Sequence, residues 1–265
     1  MSAGVDTSGR VTTPGRHVLR TDRTDPWWLY PGFSFVFLFV ILGYLTWAVL
    51  QGSGYYWEPY LSPMYSPCLS ANCVPAAGWN WFPSIAPASP ALIIIAFVGG
   101  FRVTCYYYRK AYYRAFWMAP AACAVTEPHK RYYGETRFPL ILQNAHRYFW
   151  YITWLFAGVL TYDVVIAFRN HEGQWGHAGL GTLIMLINII LIWGYQLSCH
   201  SCRHVMGGRL KHFSRHPVRY RLWSWVSVLN ARHAQWAWSS LVSVTLTDVY
   251  IRLLAAGAFS DPRFF

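Results

Sequence analysis

The sequence predicts an all-α integral membrane protein built as a bundle of five transmembrane helices. Three observations carry this expectation. Only 12% of the 265 residues are charged, while 55% are hydrophobic. That is too little charge to cover a soluble globule of this size. Trp and Tyr are abundant, with 15 and 19 copies, and their amphipathic rings favour membrane–water interfaces. Finally, five apolar segments approach the roughly 20 residues that a helix needs to cross about 30 Å of hydrocarbon.

The first segment is "WWLYPGFSFVFLFVILGYLTWAVL" (27–50). The second, "ALIIIAFVGGFRVTCYYY" (91–108), continues into the amphipathic "RKAYYRAFWM". The third (139–168) is long enough to tilt or protrude, the fourth spans 178–197, and the fifth (233–256) is the most polar. Residues 1–26 are polar and rich in Thr, Gly and Arg, which predicts disorder. They lack the apolar core and small-residue cleavage site of a signal peptide. The first span therefore reads as an uncleaved anchor, and residues 27–265 as a single membrane domain.

Basic residues set the expected orientation. The 102–138 connection carries Arg102, Arg109, Lys110, Arg114, Lys130, Arg131 and Arg137. The 198–232 connection carries Arg203, Arg209, Lys211, Arg215, Arg219, Arg221 and Arg232, whereas 51–90 has no Lys or Arg. The positive-inside rule places the basic connections and the N-terminus in the cytoplasm. Five spans then put the C-terminus outside, in a multi-pass protein of the cell (inner or plasma) membrane. The net charge of +12 reflects this asymmetry, not affinity for nucleic acid. Cys68 and Cys73 fall in the external loop "SPCLSANC", where an oxidising compartment favours a disulfide. Cys105, Cys123, Cys199 and Cys202 fall at the cytoplasmic side, where thiols stay reduced and metal ligation is plausible.

Histidines gather at the same level. His146 lies about two turns into the third segment, His200 and His204 at the exit of the fourth, and His233 at the entry of the fifth. With Cys105 near the end of the second, four helices bring Cys or His to one depth. Thiolate with imidazole suits zinc or an iron–sulfur cluster, and paired imidazoles suit haem. Cys199-x2-Cys202-x-His204 puts two sulfurs on one side of a turn. A zinc finger needs a second ligand pair in a soluble module, which His212 and His216 supply only formally, directly after a membrane span. His146 is the stronger functional candidate, because an ionisable group in an apolar span is costly.

Asp163 and Asp248 also sit inside spans, near the outer face. They read as partners for Arg252 or Arg169, as interfacial carboxylates, or as part of a proton path. Nothing resembles a nucleotide loop, a Ser-His-Asp arrangement, an internal repeat or a broken-helix pair, so ATPase, hydrolase and transporter readings lack support.

The stretches "GFRVTCYYYRKAYYRAFWMAPAACAV" (100–125), "GETRFPLILQNAHRYFWY" (134–151) and "SCHSCRHVMGGRLKHFSRHPVRYRLW" (198–223) resemble the actinobacterial succinate dehydrogenase membrane anchor. This is the five-helix, cytochrome-b-like subunit of complex II. The resemblance implies an iron–sulfur subunit and a flavoprotein subunit as partners, membrane lipid around the chain, menaquinone near the cytoplasmic interface, and the option of a higher oligomer. It further implies either haem b or a membrane Rieske-type [2Fe–2S] cluster held by two cysteines and two histidines. The ligand set stays open among Cys105, Cys199 and Cys202 with His146, His200, His204 and His233. A zinc protein or non-redox scaffold remains the alternative from another class. For quinone, the resemblance points to His146 and Arg147, joined by Gln143, Tyr148 and Trp150 as donors and aromatic wall.

"GGRLKHFSRHPVRYR" follows a double-glycine helix stop and reads as a basic docking surface for an acidic partner. If so, the detergent-solubilised complex loses its soluble subunits as salt rises from about 0.1 M to about 1 M, where the screening length falls from about 10 Å to about 3 Å. Equal retention at both, measured by size exclusion, would remove electrostatic docking.

Overall fold

The computed structural model describes residues 4–5, 11–12, 19–69, 73, 90–128, 136–138, 140–170 and 172–265. The disorder expected for 1–26 falls largely outside these residues. From Leu19 the chain is placed, and the Leu19 N–H donates to the Thr126 carbonyl at 3.1 Å.

Helix α1 (Leu29–Gln51) is apolar on all sides and stops at Gly52, whose φ of 63° suits a residue without Cβ. The 55–68 segment then folds back beneath it as a small hairpin pairing Tyr56–Trp57 with Tyr60–Leu61. The Tyr65 hydroxyl bonds the Ala48 and Val49 carbonyls at 2.9 and 3.0 Å, near a helix end where carbonyls lack helical partners. Cys68 and Cys73 are joined by a disulfide.

The second segment departs from the straight span expected over 91–108. Helix α2 (Pro90–Thr104) and helix α3 (Tyr106–Trp117) meet at 79°. Two features break the path. Residues Ile95–Gly99 form a π-helical turn. Cys105 is extended, with φ −68° and ψ 132°. The Thr104 hydroxyl bonds back to the Gly100 and Phe101 carbonyls, an interaction that bends helices. No broken-helix pair was expected, and the bend corrects that expectation.

Helix α4 (His146–Ile166) follows a 3-10 turn, Leu140–Ala145. His146 is therefore the first α-helical residue, two 3-10 turns into the 140–166 span, as expected. Helix α5 (Leu180–Leu197) gives way at Ser198–Cys199 to the short helix α6 (His200–Gly207). Helix α7 (Pro217–Asn230), opened by a proline, leads to helix α8 (His233–Ala255). Helices α5 and α8 make the most extensive pairing in the bundle. Gly194 allows it, because a Cβ there would come within 2.3 Å of the Trp236 ring.

Among the described residues, three helices, α1, α4 with its 3-10 turn, and α5, are long and apolar enough to cross a membrane. They become four if the bent α2–α3 pair is one span. The segment expected as a fifth span, α8, has the length at 23 residues. Its Ser, Thr, Asp and Arg content keeps it outside that set.

One end of the bundle is tied by buried carboxylates. Asp248 accepts from Arg252 Nε at 2.8 Å, from the Tyr44 hydroxyl at 2.6 Å and from Ser62. Arg252 also bonds the Ala48 and Ser53 carbonyls at 2.8 and 2.7 Å, so α8 is fastened to the end of α1. Asp163 accepts from Ser66. Both acids are thus bound to serines of the 55–68 segment, and Asp248 has the Arg252 partner named among its options. Asp261, which the sequence reading passed over, completes this end. It accepts from the Tyr60 and Tyr250 hydroxyls at 2.7 and 2.6 Å and from the Gly181 N–H at 2.8 Å. It therefore caps the N-terminus of α5, where a negative charge is favourable. Burial pushes the Tyr60 phenol up to about 12, so it remains a donor.

Removing one member of a buried ion pair strands the other and costs about 3–5 kcal/mol. Asp248→Asn should therefore lower the thermal midpoint of the detergent-solubilised chain, with a loss near the lower end of that range because Arg252 keeps its two carbonyls. An unchanged midpoint would show that the pair contributes nothing.

Candidate metal centre

The opposite end of the bundle gathers thiols and imidazoles. Cys105 sits at the α2–α3 break and Cys199 at the α5–α6 break, and the two share a backbone conformation. Their φ/ψ values are −68°/132° and −61°/143°, and each is the N-cap of the helix that follows. Each sulfur thus meets the partial positive charge of a helix N-terminus. The Ser201 N–H reaches the Cys199 sulfur at 3.4 Å.

Two histidines face these thiols. His146 Nε2 lies 3.3 Å from Cys199 Sγ, and His233 Nε2 lies 3.8 Å from Cys105 Sγ. On the other side of each ring stands a hydroxyl. Thr104 Oγ1 is 2.9 Å from His146 Nδ1, and Ser198 Oγ is 2.7 Å from His233 Nδ1. These hydroxyls already donate to carbonyls, Thr104 to Gly100 at 2.8 Å and Ser198 to Tyr195 at 3.1 Å. With the hydroxyl protons so placed, each oxygen accepts from Nδ1–H and an unprotonated Nε2 faces sulfur; this hydrogen placement is the one that suits metal binding, with the outer-shell partner that metal-binding histidines use.

The arrangement is crossed. Thr104 precedes Cys105 yet orients the histidine that faces Cys199. Ser198 precedes Cys199 yet orients the histidine that faces Cys105. The two pairs lie within electrostatic range of one another, His233 with His146 and Cys199 with Cys105. Aromatic rings pack the site on its flanks. Phe101 stacks on His146 at 4.7 Å and Tyr195 on His233 at 5.2 Å. Among the described residues, no three of His, Cys, Asp and Glu converge as a shell for one metal ion.

The other sequence candidates separate. Cys202 is fully buried beside Cys199 in the same core. His200 is exposed, with its ring 5.8 Å from His233 and Nδ1 3.3 Å from Asn230. His204, His212 and His216 are exposed, so they do not join Cys199 and Cys202 in a finger. Around "LQNAHRYFWY", Gln143 donates to the Tyr112 hydroxyl at 2.6 Å, and the Trp150 indole donates to the Gln196 carbonyl at 3.0 Å. Arg147 and Tyr148 are exposed.

A cavity of about 540 Å³ runs through the bundle beneath the Cys and His layer. Its walls are apolar, with Arg102, Tyr112, Tyr195 and Gln196 as polar members at the thiol end. None of Gln143, His146, Arg147, Tyr148 and Trp150 lines it. Tyr112 connects it to Gln143. Sequence reasoning missed Thr104, Ser198 and Arg102, although each hydroxyl directly precedes a cysteine.

The family model described as actinobacterial succinate dehydrogenase subunit SdhC matches residues 29–257. The solved structure of the Mycobacterium smegmatis Sdh1 complex in the apo form contains a chain 49% identical to this one, covering 100% of both, with a TM-score of 0.86. No curated protein gives a significant match. The chain therefore belongs to the actinobacterial SdhC family, the membrane subunits of succinate dehydrogenase.

Proposed function

We propose that this chain is the anchor through which a succinate dehydrogenase delivers electrons to menaquinone, with Cys105, Cys199, His146 and His233 holding a Rieske-type [2Fe–2S] centre. The observation that carries this reading is the pair of imidazoles fixed with Nε2 toward thiols. Two thiols and two imidazoles are the donor set of such a centre, and the four residues come together from four separate helix ends. Such a centre supplies one-electron chemistry. The chain itself supplies orientation, through Thr104 and Ser198, and a dry surround of Phe101, Tyr195 and Trp150. Haem b is less well supported, because each Nε2 is already occupied by a thiol neighbour and each ring by an aromatic stack. Zinc shares the donor set, and composition decides between them.

The central cavity is the natural place for the apolar body of the quinone, with Gln143 and Tyr112 where it approaches the 140–150 segment. Arg209, Lys211, Arg215 and Arg221 are exposed, and with them we assign the docking face for the iron–sulfur subunit, which in turn carries the flavoprotein. Arg219 is engaged within the fold, bonding the Val205 and Met206 carbonyls. The same basic side is assigned to the cytoplasm, with α8 as the fifth span in the plasma membrane.

Purified complex should contain iron and acid-labile sulfide and give an EPR signal on reduction. Zinc without iron, or a sharp haem α-band, would overturn the cluster. Cys105→Ser and Cys199→Ser should lose the signal while Cys202→Ser keeps it; loss in all three would revise the ligand set. Thr104→Val should weaken metal retention against a chelator by about 10–100-fold, read as iron per complex over time.

A further inference from the structure

Arg102 has a place that these assignments leave unexplained. It projects from the last turn of α2, three residues before Cys105, and lines the central cavity at its thiol end. A guanidinium within a membrane helix is costly and marks function. Among the described residues, no carboxylate pairs with it; the ion pairs are Arg23–Asp25, Arg252–Asp248 and Arg263–Asp261. Its partners are neutral. It donates to the Tyr108 hydroxyl at 2.6 Å and to Ser240 at 3.1 Å. It lies 5.0 Å over the Tyr195 ring, the same ring that stacks on His233 at 5.2 Å. Cys105 lies within its electrostatic range. Neutral hydrogen bonds hold the guanidinium in place and leave its charge unbalanced.

We infer that Arg102 is the counter-charge of the metal centre, a positioning residue that favours its reduced form. The inference rests on the reading under Proposed function. Two ferric ions, two sulfides, two thiolates and two neutral imidazoles sum to a formally neutral oxidised centre. One electron, supplied by the iron–sulfur partner and later passed to a quinone, leaves it with a negative charge. Among the described residues, no acid stands beside these Cys and His groups; Arg109 acts on His146, and Arg102 is the cation on the Cys105 and His233 side. In a medium of low dielectric constant this attraction is little screened. The ties to Tyr108 and Ser240 keep the cation at a fixed distance, so no reorganisation is needed when the electron arrives.

The test is an EPR-monitored redox titration of the intact complex carrying R102Q, R102M or R102K, with iron and sulfide measured in each. R102M keeps the apolar stem, R102Q keeps amide donors, and R102K keeps the charge. Both neutral variants should hold the centre yet disfavour its reduced form at least tenfold, about 59 mV for one electron, and R102K should recover most of that shift. An unmoved potential in R102Q or R102M with full iron content overturns this inference alone. So does failure of both neutral variants to assemble while R102K assembles with the wild-type potential, since Arg102 would then be a structural tie. Absence of iron and sulfide from the wild-type complex overturns the cluster reading, and this inference with it.

Discussion

The hydrogen bonds from His146 to Thr104 and from His233 to Ser198 are the interactions around which the functional end is built. In each, the hydroxyl also reaches a carbonyl of the preceding turn, Gly100 for Thr104 and Tyr195 for Ser198. The breaks at Cys105 and Ser198–Cys199 make both cysteines the N-caps of the helices that follow and set them beside the rings. The bend of 79° between α2 and α3 also carries the basic α3 away from the bundle axis, leaving room for the cavity behind it.

The two ends handle polarity in opposite ways. At the 55–68 end, Asp248 and Asp261 each have several donors, and the result is a static clasp joining α1, α5 and α8. At the thiol end, the polar groups are few and surrounded by aromatic rings, and the nearby charges are arginines such as Arg102 and Arg109. A polar group in hydrocarbon persists only where it is satisfied. At the first end the partners are in the chain. At the second, each Nε2 faces a thiol, which is how a site for an added group looks in chemical terms.

Much of the bundle was legible in the sequence. The apolar runs behind α1 and α5 needed only length and composition, and the double glycine at 207–208 marked the end of α6. The break at Cys105 was not, because "GFRVTC" contains no proline and its bend arises from a Thr hydroxyl turning back on the preceding turn. Seven Cys and His candidates stood at one depth, and periodicity did not rank them. Burial did, since His200 and His204 point outward while His146 and His233 turn in. Asp261 was invisible for another reason. It acts on Gly181, 80 residues earlier, and no local pattern announces such a partner.

That separation has a consequence for biosynthesis. The N-terminus of α5 receives its capping carboxylate from a residue translated long after the helix itself, and the same carboxylate gathers Tyr60 and Tyr250. Until Asp261 emerges, the α5 end, the hairpin tyrosine and the last turn of α8 have no common anchor. The clasp therefore closes as a late event, when the bundle is otherwise in place. A tag that displaces the segment after Ala256 would interrupt maturation at this step, while leaving every membrane-crossing helix already made.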